Sequence, residues 1–565
     1  MVTLSPVQRL IFALLLAWCA TTNGLHAREP VHARNAMVVT VEPHATDVGV
    51  SVLRSGGNAV DAAVAVGFAL AVTHPSAGNL GGGGFMLIRF ADGRTTFIDF
   101  RERAPAKATP TMFVGKDGKA TTDSDLGYLA SGVPGSPRGL EFAQRKYGVK
   151  SWAEVVEPAR RLAEKGFVVS YDLAHQLKSK AHQNRLAQFP ESKRIFLRNG
   201  RLYEPGEHLA QPELARTLKR LTKQGAADFY EGETARLLVS DMQAHGGLIS
   251  MDDLRQYRVV ERTPLTGSYR GYTIITAPPP SSGGMGVLQM LAMLEPTPFT
   301  EAGAGSAQTT HYMTEAMRRY FADRSRYLGD PDFCPSPTFL LQPDYIATRR
   351  QTIDPNHASS SVAIAPGALA QHESQQTTHY SVVDSAGNAV AVTYTLNGSF
   401  GSGVTVPGAG FLLNNEMDDF SLKAGVTNQG EMSYSGDANS IQPHKTPLSS
   451  MAPTIVLHNG KLFAVLGSPG GPTIINTVME VLVNVIDFNM NVADAIAAPR
   501  FHHQWMPDRL QIERGFSPDT VARLRAMGHK VEVINHQGEV AAIVVNGDGL
   551  EGAADPRTEG TAVGY

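Results

Sequence analysis

The sequence predicts an α+β fold: layers of helices on antiparallel sheets. Helical stretches and β-hairpin patterns alternate along the chain, without the regular strand–helix–strand repeat of a parallel sheet. The hairpins are explicit, above all PTIVLH and KLFAVLG joined by Asn459-Gly460, a pair that suits a tight turn. Composition agrees. The 565 residues are 42% hydrophobic and 18% charged, with 55 glycines and 34 prolines, which describes a turn-rich globular body and excludes a disordered chain, a coiled coil and a collagen. Lys plus Arg number 50 against 53 Asp plus Glu, a net of −3 with no long run of one sign, so a basic footprint for nucleic acid is absent. Two cysteines, Cys19 and Cys334, are too few for a disulfide framework or a CxxC-type zinc or redox site.

Residues 1–27 read as a secretory signal peptide. Arg9 precedes the apolar run LIFALLLAWCA, and small and polar residues lead to Ala27. The run is short for a spanning helix of ~20 residues. An uncleaved anchor is the alternative, and the bulky Trp18 before Cys19 suits lipoprotein processing poorly. The expected compartment is the periplasm or the cell exterior.

Helices are expected over 42–57, where Pro43 starts and Gly56-Gly57 stop the pattern, and over 58–72, which is apolar nearly all round. Asp61 and the modest length make the second a buried core helix. The glycines 81–84 lead into a hairpin, FMLIRF and TTFIDF around the turn ADGR. Residues 105–350 read as mainly helical, with patterns at 139–147, 152–165 and 311–327. The rigid turn PPPSSGG (278–284) precedes a helix at 286–294. The polar stretch 351–376 reads as a linker or exposed loop. β signals then dominate: THYSVVD with AVAVTYTLN, the Asn-Gly hairpin, a long helix over 473–488, a short helix near 518–527, and the strands HKVEVIN and VAAIVVN.

Several chemistries are set aside. There is no GxxxxGK[ST], so the glycine run marks close backbone packing. There is no HExxH and no GxSxG. His502-His503 is the only adjacent histidine pair, and neighbours on a strand point apart, so no metal and no cofactor are expected. The unusual feature is the 376/377 junction, where the polar linker stops and Thr377-Thr378 opens a strand. Thr377 can be an ordinary β-branched strand residue. If the chain is cut before it, a hydroxyl and an α-amine with pKa near ~8 sit on one residue, a complete nucleophile–base pair.

At these residues the chain resembles the bacterial γ-glutamyltranspeptidases (γ-glutamyltransferases), N-terminal nucleophile hydrolases. The resemblance runs over nearly the whole chain after residue 27. It is carried by GNLGGGGFM (78–86), DFRERAP (99–105), PPPSSGG (278–284), ADRSRYLGDPDF (322–333), TTHYSVVD (377–384), TYTLNGSFGSG (393–403), GFLLNNEMDDF (410–420), PLSSMAPTIV (447–456), GSPGG (467–471) and ADPR (554–557). It implies a four-layer αββα sandwich made as one precursor. Thr377 would attack the Gln376 carbonyl, giving a large chain 28–376 and a small catalytic chain 377–565 that stay together as a heterodimer. The freed Thr377 would cleave the γ-amide of glutathione and other γ-glutamyl compounds, and pass the acyl group to water, amino acids or peptides. No nucleic acid, and no membrane anchor after signal cleavage, is implied.

Site residues are carried over by position. Thr377 is the implied nucleophile, its amine the base, and Thr395 hydrogen-bonds Thr377. Gly470 and Gly471 offer backbone N–H groups to the oxyanion. Arg101 grips the donor's α-carboxylate, with hydroxyls from Ser449 and Ser450; Asn397, Glu416 and Asp419 surround its ammonium. Relatives carry Gln or Glu at 416, so Glu416 makes this site more acidic. The 423–445 loop corresponds to a lid; its Tyr434 does not fall clearly on the family's lid tyrosine, and the loop's presence argues against lidless acylase-like relatives. Two other readings stay open: an acylase of the same superfamily acting on another amide, such as a glutaryl-type β-lactam side chain, and a non-catalytic binding protein on the same fold.

Overall fold

In the computed structural model, two seven-stranded antiparallel sheets pack face to face between helical layers. The structure describes residues 28–364, 376–421, 437–547 and 549–565. The expected signal segment, residues 365–375 of the linker and the part of the lid loop holding Tyr434 lie outside the described residues.

The first sheet runs Thr561–Gly564, Met37–Thr40, Thr378–Val383, Ala389–Thr395, Gly83–Arg89, Thr95–Asp99, Val260–Arg262. The second runs Val31–Ala33, Gly549–Ala554, Ala541–Asn546, Lys461–Gly467, Thr454–His458, Tyr272–Thr276, Leu265–Tyr269. Helices Pro43–Arg54 and Ala59–Thr73 cover the first sheet, and Gly283–Leu294 and Thr473–Ile486 cover the second. This is the expected αββα sandwich. Both sheets combine strands from before and after residue 376, so a cut there leaves the two segments bound along whole ladders of hydrogen bonds. Among the described residues, no helix is long and apolar enough to cross a membrane.

Alternation along each strand builds two cores. Phe85 and Leu87 point toward the second sheet, while Met86 and Ile88 pack under the helices. The helix Ala59–Thr73 is buried at every position. Its acidic residue, Asp61, is satisfied rather than exposed: it accepts from Asn58 N at 2.7 Å, Gln144 Nε2 at 2.6 Å and Lys150 N at 2.9 Å. Tyr380 and Tyr394 anchor this helix to the sheet by donating to Ala63 O at 3.0 Å and Gly67 O at 2.8 Å.

The structure corrects the element assignment in three places. The stretch read as mainly helical contains the strands Val260–Arg262 and Leu265–Tyr269, which form sheet edges, and Tyr272–Thr276, which lies between Leu265–Tyr269 and Thr454–His458. Edge strands are half-exposed and short, which weakens their alternation. The Val531–Ile534 strand lies outside the main sheets and pairs in parallel with Leu510–Glu513. Val31–Ala33, Met37–Thr40 and Thr561–Gly564 are three or four residues long, too short for a periodic signal.

The glycine run performs the close packing expected of it. A Cβ on Gly81 would lie 2.1 Å from Leu412 O, and one on Gly82 would lie 2.0 Å from Thr395 O. Gly82→Ala is therefore expected to destabilise by about 3 kcal/mol or more, because the clashing atom is backbone and cannot turn aside. Gly93→Ala, at a turn where a Cβ meets nothing within 4 Å but φ is +93°, should cost about 1 kcal/mol. Thermal unfolding of the two variants compares them directly; equal melting temperatures contradict the packing argument.

Candidate active site

Thr377 lies just ahead of the strand Thr378–Val383, near the middle of the first sheet, and is 6% exposed. The neighbouring strand pairs Thr378 with Tyr394 and ends at Thr395. Asn79 holds that strand end: its Nδ2 donates to Thr395 O at 2.8 Å, and its Oδ1 accepts from Gly82 N at 3.0 Å and from the Ser136 hydroxyl at 2.6 Å. The junction is thus fixed by side chains from far upstream.

One cavity is lined by Arg101, Thr377, Thr395, Asn397, Glu416, Asp419, Ser449, Ser450 and Gly471, together with Met451 and Ile474. Nine of the residues selected from the sequence meet there. The other two, Gly470 and Gln376, line the adjoining cavity.

One expectation is corrected. In the unbroken chain Thr395 does not bond the Thr377 hydroxyl. Its Oγ1 donates to the carbonyl of Gln376 at 2.9 Å and accepts from Asn397 N at 2.8 Å. The Gln376 carbonyl occupies the hydrogen-bonding position that the resemblance assigned to Thr377.

Arg101 differs in detail too. Its guanidinium is almost fully buried and already paired inside the protein. One η nitrogen meets Glu416, the other reaches Asp419 Oδ2 at 2.5 Å and Leu448 O at 3.2 Å, and Glu102 Oε2 lies 3.7 Å away. Glu102 sits in the DFRERAP motif and was not among the selected residues. Burial pushes Glu102 up to about 7 and Glu416 up to about 8, in each case against the pull of Arg101. Three acids surround one cation, and the charge of Glu102 pushes Glu416 further up, so a proton stays on this pair at neutral pH.

Gly470 and Gly471 have φ of 131° and 56°, conformations that glycine adopts without strain. They sit directly before the helix Thr473–Ile486. Neither of their N–H groups donates to a protein acceptor among the described residues. Two unpaired amides at a helix N-terminus form a site for developing negative charge.

The PPPSSGG turn gains a role here. Ser282 N and Oγ each donate to Ser449 O at 2.7 Å, and Ser281 Oγ donates to Met451 O at 2.6 Å. A Cβ on Gly283 would lie 2.5 Å from Ser450 O. The turn therefore cradles the Ser449-Ser450 backbone. Arg324, buried in the ADRSRYLGDPDF motif, donates through Nε to Ser282 Oγ at 2.8 Å and through Nη2 to Ser450 Oγ at 3.0 Å. Neither Arg324 nor Ser282 was selected from the sequence. Their position in quoted motifs was the available signal, but only the fold places them behind the site.

His502 and His503 point apart, to Asn476 and to Asp508. A different trio, His311, Glu315 and His529, brings its donor atoms within 4.8 Å of one another. Those donors are engaged: His311 Nδ1 and His529 Nε2 share a hydrogen bond at 2.9 Å, and Glu315 pairs with Arg318 and Arg319.

The Glu102–Glu416 pair gives a prediction with a definite sign. A carboxyl whose folded pKa is raised favours folding while protonated. That contribution is full below the ordinary value of about 4.5 and is lost as pH climbs through about 7 to 8. Glu416→Gln stays neutral, so its unfolding free energy should fall less steeply between pH 5 and 8. The slope should be shallower by up to about 1.4 kcal/mol per pH unit, the value for one proton. Denaturant titrations at several pH values measure this; parallel slopes contradict a proton on the pair.

Comparison with known proteins agrees with the geometry. The family model described as gamma-glutamyltranspeptidase matches residues 45–565. A glutathione hydrolase proenzyme of Escherichia coli (strain K12) is 51% identical over 532 residues, 94% of this chain and 91% of that protein. Another, of Pseudomonas sp. (strain A14), is 48% identical over 565 residues, 97% of each chain. The crystal structure of cephalosporin acylase from Bacillus halodurans superposes with a TM-score of 0.86 at 28% identity, covering 96% of this chain and 98% of that one. With a match that runs from residue 45 to the last residue and a cavity gathering the motifs that carry it, this chain belongs to the gamma-glutamyltranspeptidase family.

Proposed function

We propose that the protein is an autoprocessed γ-glutamyltransferase and glutathione hydrolase, exported by its 1–27 segment to the periplasm or cell exterior and cut into chains 28–376 and 377–565. The observation that carries this reading is the placing of Thr377 beside a buried Arg101 that faces Glu416 and Asp419 in one cavity.

In the precursor, Thr377 Oγ attacks the Gln376 carbonyl carbon. The Thr395 hydroxyl, 2.9 Å from that oxygen, stabilises the charge that forms on it. The C–N bond breaks as the Thr377 nitrogen takes up a proton, leaving an ester. Water then hydrolyses the ester to a Gln376 carboxylate and a free Thr377 amine. Removal of Gln376 releases Thr395 to bond the Thr377 hydroxyl, the arrangement the resemblance implies.

In the mature enzyme the Thr377 amine, with pKa near ~8, takes the hydroxyl proton as Oγ attacks the donor's γ-carbonyl. The oxyanion rests on the Gly470 and Gly471 amides. Collapse expels the leaving amine, which receives the proton, and leaves a γ-glutamyl ester on Thr377. Water or an acceptor amine resolves it by the same steps reversed.

The charge pattern favours a zwitterionic acyl group. A donor carboxylate can replace a carboxylate now on Arg101, assisted by Ser449 and Ser450. Its ammonium then neutralises the displaced Glu416 and Asp419, with Asn397 beside them. A glutaryl group brings the carboxylate without the ammonium and leaves buried negative charge uncompensated.

Two measurements test the reading. Thr377→Ala should remain one inactive chain, while Thr395→Val should mature about 10²–10³-fold more slowly; a denaturing gel with N-terminal sequencing follows both, and efficient cleavage of Thr377→Ala would sink the mechanism. Glutathione should exceed its des-amino analogue by at least about 100-fold in kcat/KM, the effect of leaving a buried charge unpaired; equal rates would favour the acylase reading.

A further inference from the structure

The cavity adjoining the Arg101 pocket is lined by Gln376, Gly470, Thr473, His536, Gln537 and Glu539, with Pro469 and Gly538. The wall between the two cavities is the start of the helix Thr473–Ile486: Gly471 and Ile474 face the Arg101 side, Gly470 and Thr473 the other. An acyl group with its charged head at Arg101 and its oxygen on the Gly470 and Gly471 amides has its third substituent on the far side of that wall. Gln376 lies there in the unbroken chain, and cleavage turns it into a chain end.

The loop that carries Glu539 is held rigidly. Gln537 N donates to Glu513 Oε1 at 2.9 Å and Gln537 Nε2 to Phe501 O at 2.9 Å. The buried Arg500 donates to Gln537 O at 2.8 Å and to Asp555 Oδ2 at 2.5 Å. Glu539 N donates to Ser468 Oγ at 3.0 Å. A Cβ on Gly538 would press within 2.7 Å of Thr477 Oγ1, so the loop sits directly against the helix that starts at the oxyanion glycines. Among the described residues, no hydrogen-bond donor and no cation meets the Glu539 carboxyl, although it lines the cavity. A carboxyl on a rigid loop, half-buried and without a protein partner, is placed to meet a charge on a ligand.

We propose that this cavity receives the acceptor, and that Glu539 selects acceptors carrying an extra positive charge, such as basic amino acids and basic dipeptides, over acidic ones. The inference rests on the γ-glutamyl reading above. Burial first, then Asp555 and Asp172, push Glu539 up to about 8, and Arg500 pulls the other way, so the charge is largely developed at pH 9. His536 is the other titratable group on the cavity wall.

The test uses the processed enzyme with γ-glutamyl-p-nitroanilide as donor at pH 9, comparing lysine with glutamate as acceptor by the kcat/KM for each. The ratio within one variant cancels any change in donor chemistry or folded fraction. Wild type should favour lysine by about tenfold or more, the scale of one charge pair in a partly solvated site. Glu539→Gln should lower the ratio by about tenfold, and Glu539→Lys should invert it. A Glu539→Lys enzyme with the wild-type ratio overturns the proposal; if that variant does not fold, an unchanged ratio in Glu539→Gln does so. Absence of p-nitroaniline release from processed wild type overturns the γ-glutamyl reading itself, and this proposal with it.

Discussion

The contact on which the site depends is backbone against backbone: Gly82 against the carbonyl of Thr395, with room for no Cβ between them. It brings the start of one strand against the end of another, within the grip of the Asn79 side chain. The Thr395 hydroxyl is then set on the Gln376 carbonyl, and Thr377 beside it. A nucleophile at a chain's N-terminus has no preceding residue to hold it, so its position must come from neighbours. Here those neighbours are a sheet, a glycine run and a carboxamide, none of which depends on the 376/377 bond. The constellation can therefore survive the cleavage that it brings about.

The second constraint is electrostatic. Arg101 is buried with three acids, an arrangement that is costly unless charges balance. A proton on Glu102 and Glu416 brings the cluster closer to neutrality, and a zwitterionic ligand can exchange with the internal pairs without changing net charge. Under the proposed function, selectivity for such a ligand would follow from this balance more than from shape. A ligand of one sign would have to leave an unpaired group behind in a buried cavity.

Much of this was legible in the residues. The hairpins, the buried helix with Asp61 and the close-packing glycines followed from periodicity and turn chemistry, because each is a local property. The sandwich as four layers, and the cavity as one place, did not. Arg101 and Asp419 are 318 positions apart, and no spacing rule joins them; only the resemblance linked them before the fold did. The missed elements share a cause. Short edge strands such as Val260–Arg262 expose a face and carry little periodic signal, while Glu102, Ser282 and Arg324 act by supporting other residues, a role that depends on three-dimensional neighbours rather than residue type.

The position of Gln376 ties processing to turnover. In the unbroken chain its carbonyl uses the Thr395 hydroxyl and its residue lies in the cavity beside Gly470. The Thr377 nitrogen is then an amide and cannot act as a base. In the proposed mechanism the precursor lacks the base, the hydrogen bond from Thr395 to the nucleophile, and free space on one side of Gly470 and Gly471, all through one peptide bond. Hydrolysis of that bond, as proposed, would supply the three together. A partial gain would be of little use: a free amine without the released Thr395, or an open cavity without a base, would not transfer an acyl group. That common dependence explains why the junction can lie in the middle of the first sheet, where the surrounding strands hold everything except the one group that has to leave.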